Sequence, residues 1–374
     1  MVGDPSSSRL RRLVSRMMLV CFGLLVGLLL AEGLARVVGP PLPGFVLDAT
    51  MTVYEPRLYA RHPTRITTLA PNVDVDLQAI EYKTRVRTNR LGLRGPPAGD
   101  GELRVAFIGD SFTLGVQVEE SETFAEQTAA RVATRTGRRV VALNAGVDGY
   151  GVLQAVDRLD ELLRSTRLSH VVLTMYLGND LRDDARLEEK RAAMSRPPPI
   201  EDEAGFDSLH TMQRKSAMAR VSRLYAWISV VRALQARSDD FRIQEYADEL
   251  RVFTEPAVLS AQLPATARGL ERFGAMCRSR RLRCVVALAP PAWVVHRSRM
   301  VSTFESLGLD PAALDLARVV DGVRSSVPTG IEVVDLTEPL QAVASDGALY
   351  FTFDPHWNAR GHHRVAEILA EAIE

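Results

Sequence analysis

The chain has 374 residues, with 46 Lys and Arg against 46 Asp and Glu, and 46% of it is hydrophobic. That is ordinary globular composition, which excludes a wholly disordered chain, a collagen-like repeat and a polytopic membrane protein. Without a basic excess, no nucleic-acid partner is expected. The length suits one large domain with appendages, or two modest domains. Lys occurs only at Lys83, Lys190 and Lys215, all other basic residues being Arg. With the abundance of Ala and Val, this suggests a GC-rich bacterial origin.

The N-terminus carries the first positional signal. Arg9, Arg11, Arg12 and Arg16 precede an apolar run from Met17 to Ala31. The run extends back to Leu13 and on to Val38, with Arg16, Glu32 and Arg36 as its only charges. Charged groups near the ends of a span can snorkel to the interface. Residues 13–38 are therefore predicted to be an uncleaved transmembrane signal anchor. Residues 1–12 form its cytoplasmic tail, and the basic cluster places the bulk of the chain outside. A cleaved signal peptide is the main alternative, but the small-residue signal near Leu30-Ala31-Glu32-Gly33 is weak.

Gly39-Pro40-Pro41-Leu42-Pro43-Gly44 breaks the first helix and opens a stem over residues 39–100. Within the stem, Val73, Val75 and Leu77 alternate with polar residues, and Tyr82, Thr84, Val86 and Thr88 do the same. This is the period-2 pattern of a short β-element packed on a larger domain. Pro96-Pro97-Ala98-Gly99-Asp100-Gly101 marks the next boundary.

From residue 101 to 374 the pattern changes to apolar strands alternating with amphipathic helices. Strands are predicted at Arg104–Ile108, Val140–Leu143, His170–Tyr176, Arg283–Ala289 and Ile331–Asp335. Each is nearly continuous in Val, Leu, Ile and Ala, as fits a parallel sheet buried on both faces. Helices are predicted near Thr123–Thr136, Leu153–Ser165, Ala265–Arg280, Pro311–Arg324 and Ala359–Ala372. The alternation implies an α/β fold: a three-layer α/β/α sandwich around a parallel five-stranded sheet of the flavodoxin-like, doubly wound kind. Residues 183–264 break the alternation and are expected to be a helical insertion, serving either as a lid or as a packed decoration. Cys277 and Cys284 lie seven apart, and two buried thiols are favoured over a bridge.

Four segments arrive at the strand ends where ligands bind in such sheets. Gly109-Asp110-Ser111 follows the first strand and offers a hydroxyl. Asn144-Ala145-Gly146 follows the second, and Gly146 would allow a backbone N–H close to a reacting atom. Leu177-Gly178-Asn179-Asp180 follows the third and offers the Asn179 amide. Asp354-Pro355-His356-Trp357 precedes the last helix and offers a base with a carboxylate to orient it. Together these are the parts of an acyl-transfer site: Ser111 as nucleophile, His356 as base, Asp354 as its orienter. The oxyanion would be met by the Ser111 N–H, the Gly146 N–H and the Asn179 amide. Taken singly, each has a plainer reading: Ser111 or Gly146 as turn residues, Asn179 as a cap. His362 and His363 are expected to be packing or surface residues. The acidic cluster Asp180, Asp183 and Asp184 has no His or Glu partner at ligand spacing, so no metal site is expected.

These four segments, in this order, resemble the SGNH (GDSL-like) hydrolase superfamily, whose Ser, Gly, Asn and His fall on Ser111, Gly146, Asn179 and His356. Thr88-Asn89-Arg90-Leu91-Gly92-Leu93-Arg94-Gly95 and Gly149-Tyr150-Gly151 with Gln154 are similar to a membrane-anchored bacterial branch. The resemblance implies an α/β/α sandwich, serine-dependent ester hydrolysis, and no metal or organic cofactor. Many members separate the Asp and His by two residues, whereas here only Pro355 stands between. The Asp-x-His-Trp form is similar to that of alginate-type O-acetyltransferase relatives. The expectation is a membrane-anchored, extracytoplasmic serine esterase acting on an acyl ester of a glycan, a lipid or a small molecule. The alternatives are an O-acyltransferase modifying a polysaccharide and a non-catalytic binding protein on the same scaffold.

Overall fold

The computed structural model describes residues 5–38, 56–78, 81–97, 99, 101–195, 222–225, 228, 241–299, 304, 308–351 and 354–373. The N-terminal helix runs Pro5–Val38. Its Val14–Val37 stretch, 24 residues, is long and apolar enough to cross a membrane, and none of it is buried against the rest of the chain.

Residues 59–87, within the expected stem, form two antiparallel hairpins. One pairs β1 (Tyr59–His62) with β2 (Ile66–Leu69), and the other pairs β3 (Asp74–Gln78) with β4 (Lys83–Arg87). The second matches the alternation of the sequence: Thr84 and Val86 face inward while Lys83, Arg85 and Arg87 face water. The first hairpin carries no clear alternation and was not expected.

The five predicted parallel strands form one sheet. They are β5 (Leu103–Ile108), β6 (Val140–Asn144), β7 (His170–Tyr176), β8 (Arg283–Ala289) and β9 (Glu332–Asp335), in spatial order β6-β5-β7-β8-β9. All neighbours pair in parallel. Successive side chains serve opposite layers. Ala106, Ile108, Leu173 and Val286 pack with the helices Val152–Ser165, Pro256–Arg280 and Leu316–Ser326. Val105, Phe107, Val172 and Ala287 pack with Phe124–Thr136, Thr337–Gln341 and Ala359–Ile373. The chain order reverses between β5 and β7, so the carboxyl ends of those strands open the crevice where such sheets bind ligands.

Three expectations need correction. The helix expected at Ala265–Arg280 begins at Pro256 and passes through Pro264, which the sequence had suggested as a boundary. Pro removes one N–H, but a 25-residue helix packed on four other helices outweighs that local loss. A helix expected from Pro311 is instead a 3₁₀ turn, Pro311–Ala313, with the helix proper starting at Leu316. Asp315 caps it by accepting the Arg318 N–H. Third, Cys277 and Cys284 are bridged, with Cα atoms 6.2 Å apart. The helix ends at Arg281, a left-handed residue, and the Leu282 N–H turns back to the Cys277 carbonyl at 2.9 Å. This reversal brings the two cysteines within bridging distance. In the 183–264 insertion, Tyr225 lies in a short helical segment, while Trp227 and most of residues 196–240 lie outside the described residues.

Candidate active site

Ser111 opens a single helical turn, Ser111–Leu114, directly at the end of β5. Asp110 caps the turn, its Oδ1 accepting the Phe112 N–H at 2.9 Å. That cap leaves the Ser111 hydroxyl half-buried at the carboxyl edge of the sheet. His356 Nε2 lies 2.7 Å from Ser111 Oγ. His356 Nδ1 lies 2.6 Å from Asp354 Oδ1, which also accepts the His356 backbone N–H at 3.0 Å. Thus Asp354, His356 and Ser111 form one continuous hydrogen-bonded chain. The single intervening residue, Pro355, allows Asp354 to hold both the backbone and the ring of His356.

The His loop is fixed from below. Trp357 is fully buried and meets Phe112 edge-on at 4.8 Å between centroids. The imidazole of His356 rests against the same Phe112 ring, also at 4.8 Å. Phe112 stacks in turn on Tyr176 at the end of β7, at 4.4 Å. One aromatic residue next to the serine therefore sets the height of the histidine. Asn358 starts the last helix, its Oδ1 accepting the Gly361 N–H at 3.0 Å.

Asn179 sits on the short link between β7 and the helix Asp180–Ser195. It occupies the N-cap position, with its backbone carbonyl accepting the Asp183 N–H at 2.9 Å. Its side chain does no capping: Oδ1 is buried and has no hydrogen-bond partner among the described residues. Next to it, Asp180 Oδ2 accepts the Tyr176 N–H at 2.9 Å and pins the strand end.

Gly146 differs from expectation. Its N–H is donated to Asn144 Oδ1 at 3.1 Å, so the donor is turned inward. A side chain there would strike the backbone of Thr113 and Leu114, so glycine at 146 answers to close packing under the serine turn. Three residues on, Gly149 is exposed, has a φ of +68° and faces open space. Its turn is anchored beneath Ser111 by the Val147 N–H donating to the Gly109 carbonyl at 3.1 Å. The second glycine of Gly146-Val147-Asp148-Gly149 was the signal available for it in the sequence.

Carboxyls crowd this edge. Burial pushes Asp110 up to about 7 against the opposing pull of His356. Burial, with Asp110, Asp184 and Asp183 as neighbouring charges, raises Asp180 strongly. Burial pushes Asp148 up to about 6. Asp184 is pushed up to about 7, again by burial, and accepts the Leu153 N–H at 2.8 Å and the Thr266 hydroxyl at 2.7 Å. Among the described residues, no group of three or more His, Cys, Asp and Glu is placed to hold a metal ion. His362 is buried and accepts the Phe124 N–H at 3.2 Å, while His363 is exposed beside Arg131 and Glu367.

Several solved structures are similar to the chain at low identity. The acetylxylan esterase Axe2 from Geobacillus stearothermophilus is 10% identical, with 73% of this chain and 94% of that one covered and a TM-score of 0.38. LAE5, an alpha/beta hydrolase enzyme from the metagenome of Lake Arreo, Spain, is 13% identical, with 74% and 96% covered and a TM-score of 0.37. A family two carbohydrate esterase from Clostridium thermocellum, in complex with cellohexaose, is 13% identical, with 75% and 66% covered and a TM-score of 0.35. No curated protein matches the chain in sequence. The family model of the GDSL-like Lipase/Acylhydrolase family matches residues 107–364, from the last turn of β5 into the final helix. The chain therefore belongs to the GDSL-like lipase/acylhydrolase family, the SGNH-type enzymes that hydrolyse ester bonds.

Proposed function

We propose that the protein is a membrane-anchored, extracytoplasmic serine esterase that works through an acyl-Ser111 intermediate. The observation that carries this reading is the unbroken Asp354–His356–Ser111 chain, with contacts of 2.6 and 2.7 Å. His356 Nε2 accepts the Ser111 proton as Oγ attacks the ester carbonyl carbon. The carbonyl π electrons move to oxygen, giving a tetrahedral oxyanion. On collapse, the bond to the leaving alkoxide breaks, and His356 returns the proton to it. Water then repeats the sequence on the acyl-serine, releasing the carboxylic acid and restoring Ser111. Asp354 holds the tautomer with the proton on Nδ1 and offsets the charge of the imidazolium.

The oxyanion donors are the Ser111 N–H, at the start of its helical turn, and the Asn179 amide. Gly149 takes the place first given to Gly146, whose N–H is spent on Asn144. Placement outside the cytoplasm is supported by two features. The apolar helix Val14–Val37 follows a basic N-terminus, and the Cys277–Cys284 bridge suits an oxidising compartment. In this reading residues 39–100 are a stem and 101–374 the catalytic domain. The substrate is an acyl ester carried by a glycan, a lipid or a small molecule.

The test is turnover of p-nitrophenyl acetate by the full chain beside Ser111→Ala, together with fluorophosphonate labelling. Serine-dependent turnover and a label on Ser111 are expected. Activity that survives Ser111→Ala, or a label elsewhere, would overturn the mechanism. Acetate release without an added acceptor marks a hydrolase; strict dependence on a saccharide acceptor would replace this reading with acyl transfer. Selective methoxy-polyethylene-glycol maleimide access to single added cysteines on either side of residues 14–37 tests the topology.

A further inference from the structure

The stem does more than connect. Leu58, just before its first hairpin, and Leu69 within it, with Val75, Leu77 and Val86 of the second, share one buried cluster with Leu114 at the end of the serine turn, Val116 after it, Val147 and Tyr150. The backbone after the serine is held mainly by side chains from outside it. Arg94 is fully buried and donates to the carbonyls of Leu114 at 2.7 Å, Val118 at 2.5 Å, and Gly115. Thr84 Oγ1 donates to the Val116 carbonyl at 2.6 Å. Asn144 Nδ2 donates to the Thr113 carbonyl at 2.8 Å. Burial pulls the Arg94 guanidinium down only to about 10, so it remains a cation at neutral pH. A planar fork can serve three carbonyls in this way; a lysine has no such geometry.

The segment so held carries Gln117. That side chain is buried and directs Nε2 at Asp354 Oδ2, 3.5 Å away, while its Oε1 has no partner among the described residues. From the stem itself, Glu81 reaches the backbone of the same residue, accepting the Asp354 N–H at 2.9 Å. Tyr82, beside it, packs its ring on Phe351 at 5.7 Å, at the foot of the His loop. Asp354 is thus approached by His356 on one oxygen, by Gln117 on the other, and by Glu81 at its backbone.

We propose that the stem is one wall of the active site, and that Glu81 and Gln117 are positioning residues for Asp354, with Arg94 locking the segment that presents Gln117. This rests on the triad reading given above. Without Glu81 or Gln117 the carboxylate turns, the His356 ring loses its fixed tautomer and orientation, and the chemical step slows while substrate binding is kept.

The experiment compares Gln117→Leu, Glu81→Ala and Glu81→Gln in the full chain purified in detergent. Arg85→Ala, an exposed residue on the same hairpin, is the control. The readouts are kcat and KM on p-nitrophenyl acetate, the downfield proton NMR resonance of His356 Nδ1–H, and fluorophosphonate labelling. Gln117→Leu and Glu81→Ala are expected to lose tenfold or more in kcat at unchanged KM and to shift or broaden the resonance. Glu81→Gln, which keeps an acceptor for the Asp354 N–H, restores most of the loss, and Arg85→Ala matches the parent. A parent chain labelled on Ser111, with kcat and resonance unmoved in Gln117→Leu and Glu81→Ala, overturns the proposal alone. A parent chain not labelled on Ser111 removes the triad reading and this proposal with it.

Discussion

The two ends of the parallel sheet are built to different rules. At the amino end, polar groups are paired off. Ser169 Oγ accepts the Arg104 N–H and donates to the Arg104 carbonyl, both at 3.0 Å, and the Cys277–Cys284 bridge ties the start of β8 to its preceding helix. At the carboxyl end, buried carboxyls are raised out of their usual range, and Asn179 Oδ1 and Asp180 Oδ1 have no partner among the described residues. Unpaired buried polar groups cost free energy, so a protein keeps them where something else is gained. The amino end holds the fold, and the carboxyl end spends stability on a site.

Substitutions at each end should therefore separate activity from stability. The largest effect is expected for His356→Ala, which removes the base and should lower kcat on p-nitrophenyl acetate by about a millionfold with little change in melting temperature. Asp354→Asn keeps the shape but misorients the ring, and a loss of about ten-thousand-fold in kcat is expected in the same assay. Asn179→Ala should cost about 100- to 1,000-fold in kcat, at nearly unchanged KM, through the loss of one oxyanion donor. A residual rate equal to the parent would show that the amide faces elsewhere.

The amino end predicts the reverse pattern. Replacing both Cys277 and Cys284 by Ser opens a short loop and should lower unfolding free energy by about 2–3 kcal/mol in urea titration, with kcat kept. A fall in kcat larger than the fall in folded fraction would break the division between the two ends.

The smallest effect comes from His362, which lies under the site without serving it. Burial in the aromatic cluster holds it down to about 3, well below its ordinary value. Above about pH 6.5 both folded and unfolded chains hold it neutral. As pH falls below that, the unfolded chain gains a proton that the folded chain refuses, so stability drops by up to about 1.4 kcal/mol per pH unit until about pH 3. Urea unfolding of the parent and of His362→Gln at pH 7.5 and 5.5 should show a steeper loss in the parent. Equal slopes would mean that the buried ring is protonated in place.

His356 and His362 also show where the sequence was readable. Both lie near or in the last helix, and only His356 was assigned from its neighbours. Asp354 at two residues' distance marked His356, whereas His362 was left between a packing and a surface role, and the structure buries it. The strands of the sheet were legible for a similar reason. A strand buried on both faces must be apolar throughout, and β7 and β8 match their expected bounds at both ends. The stem's first hairpin was not legible, because its burial is set by Arg65, Tyr150 and Gln154 across the chain.

The sequence by itself determined the order of elements, the five strands and the four segments that meet at their ends, because periodicity and turn residues are local properties. Only the tertiary structure decided that the Gly146 N–H is taken. Gly146 and Gly149 are alike in sequence, but the Asn144 side chain takes the N–H of the first, which is closely packed, whereas the second lies in an exposed turn at a φ of +68°. It also decided that Cys277 and Cys284 are joined, because a left-handed residue after the helix turns the chain back on itself. And it decided that Arg94, read in the sequence only as part of the Thr88–Gly95 motif, is buried against three carbonyls behind the serine, a contact between segments that the motif does not record.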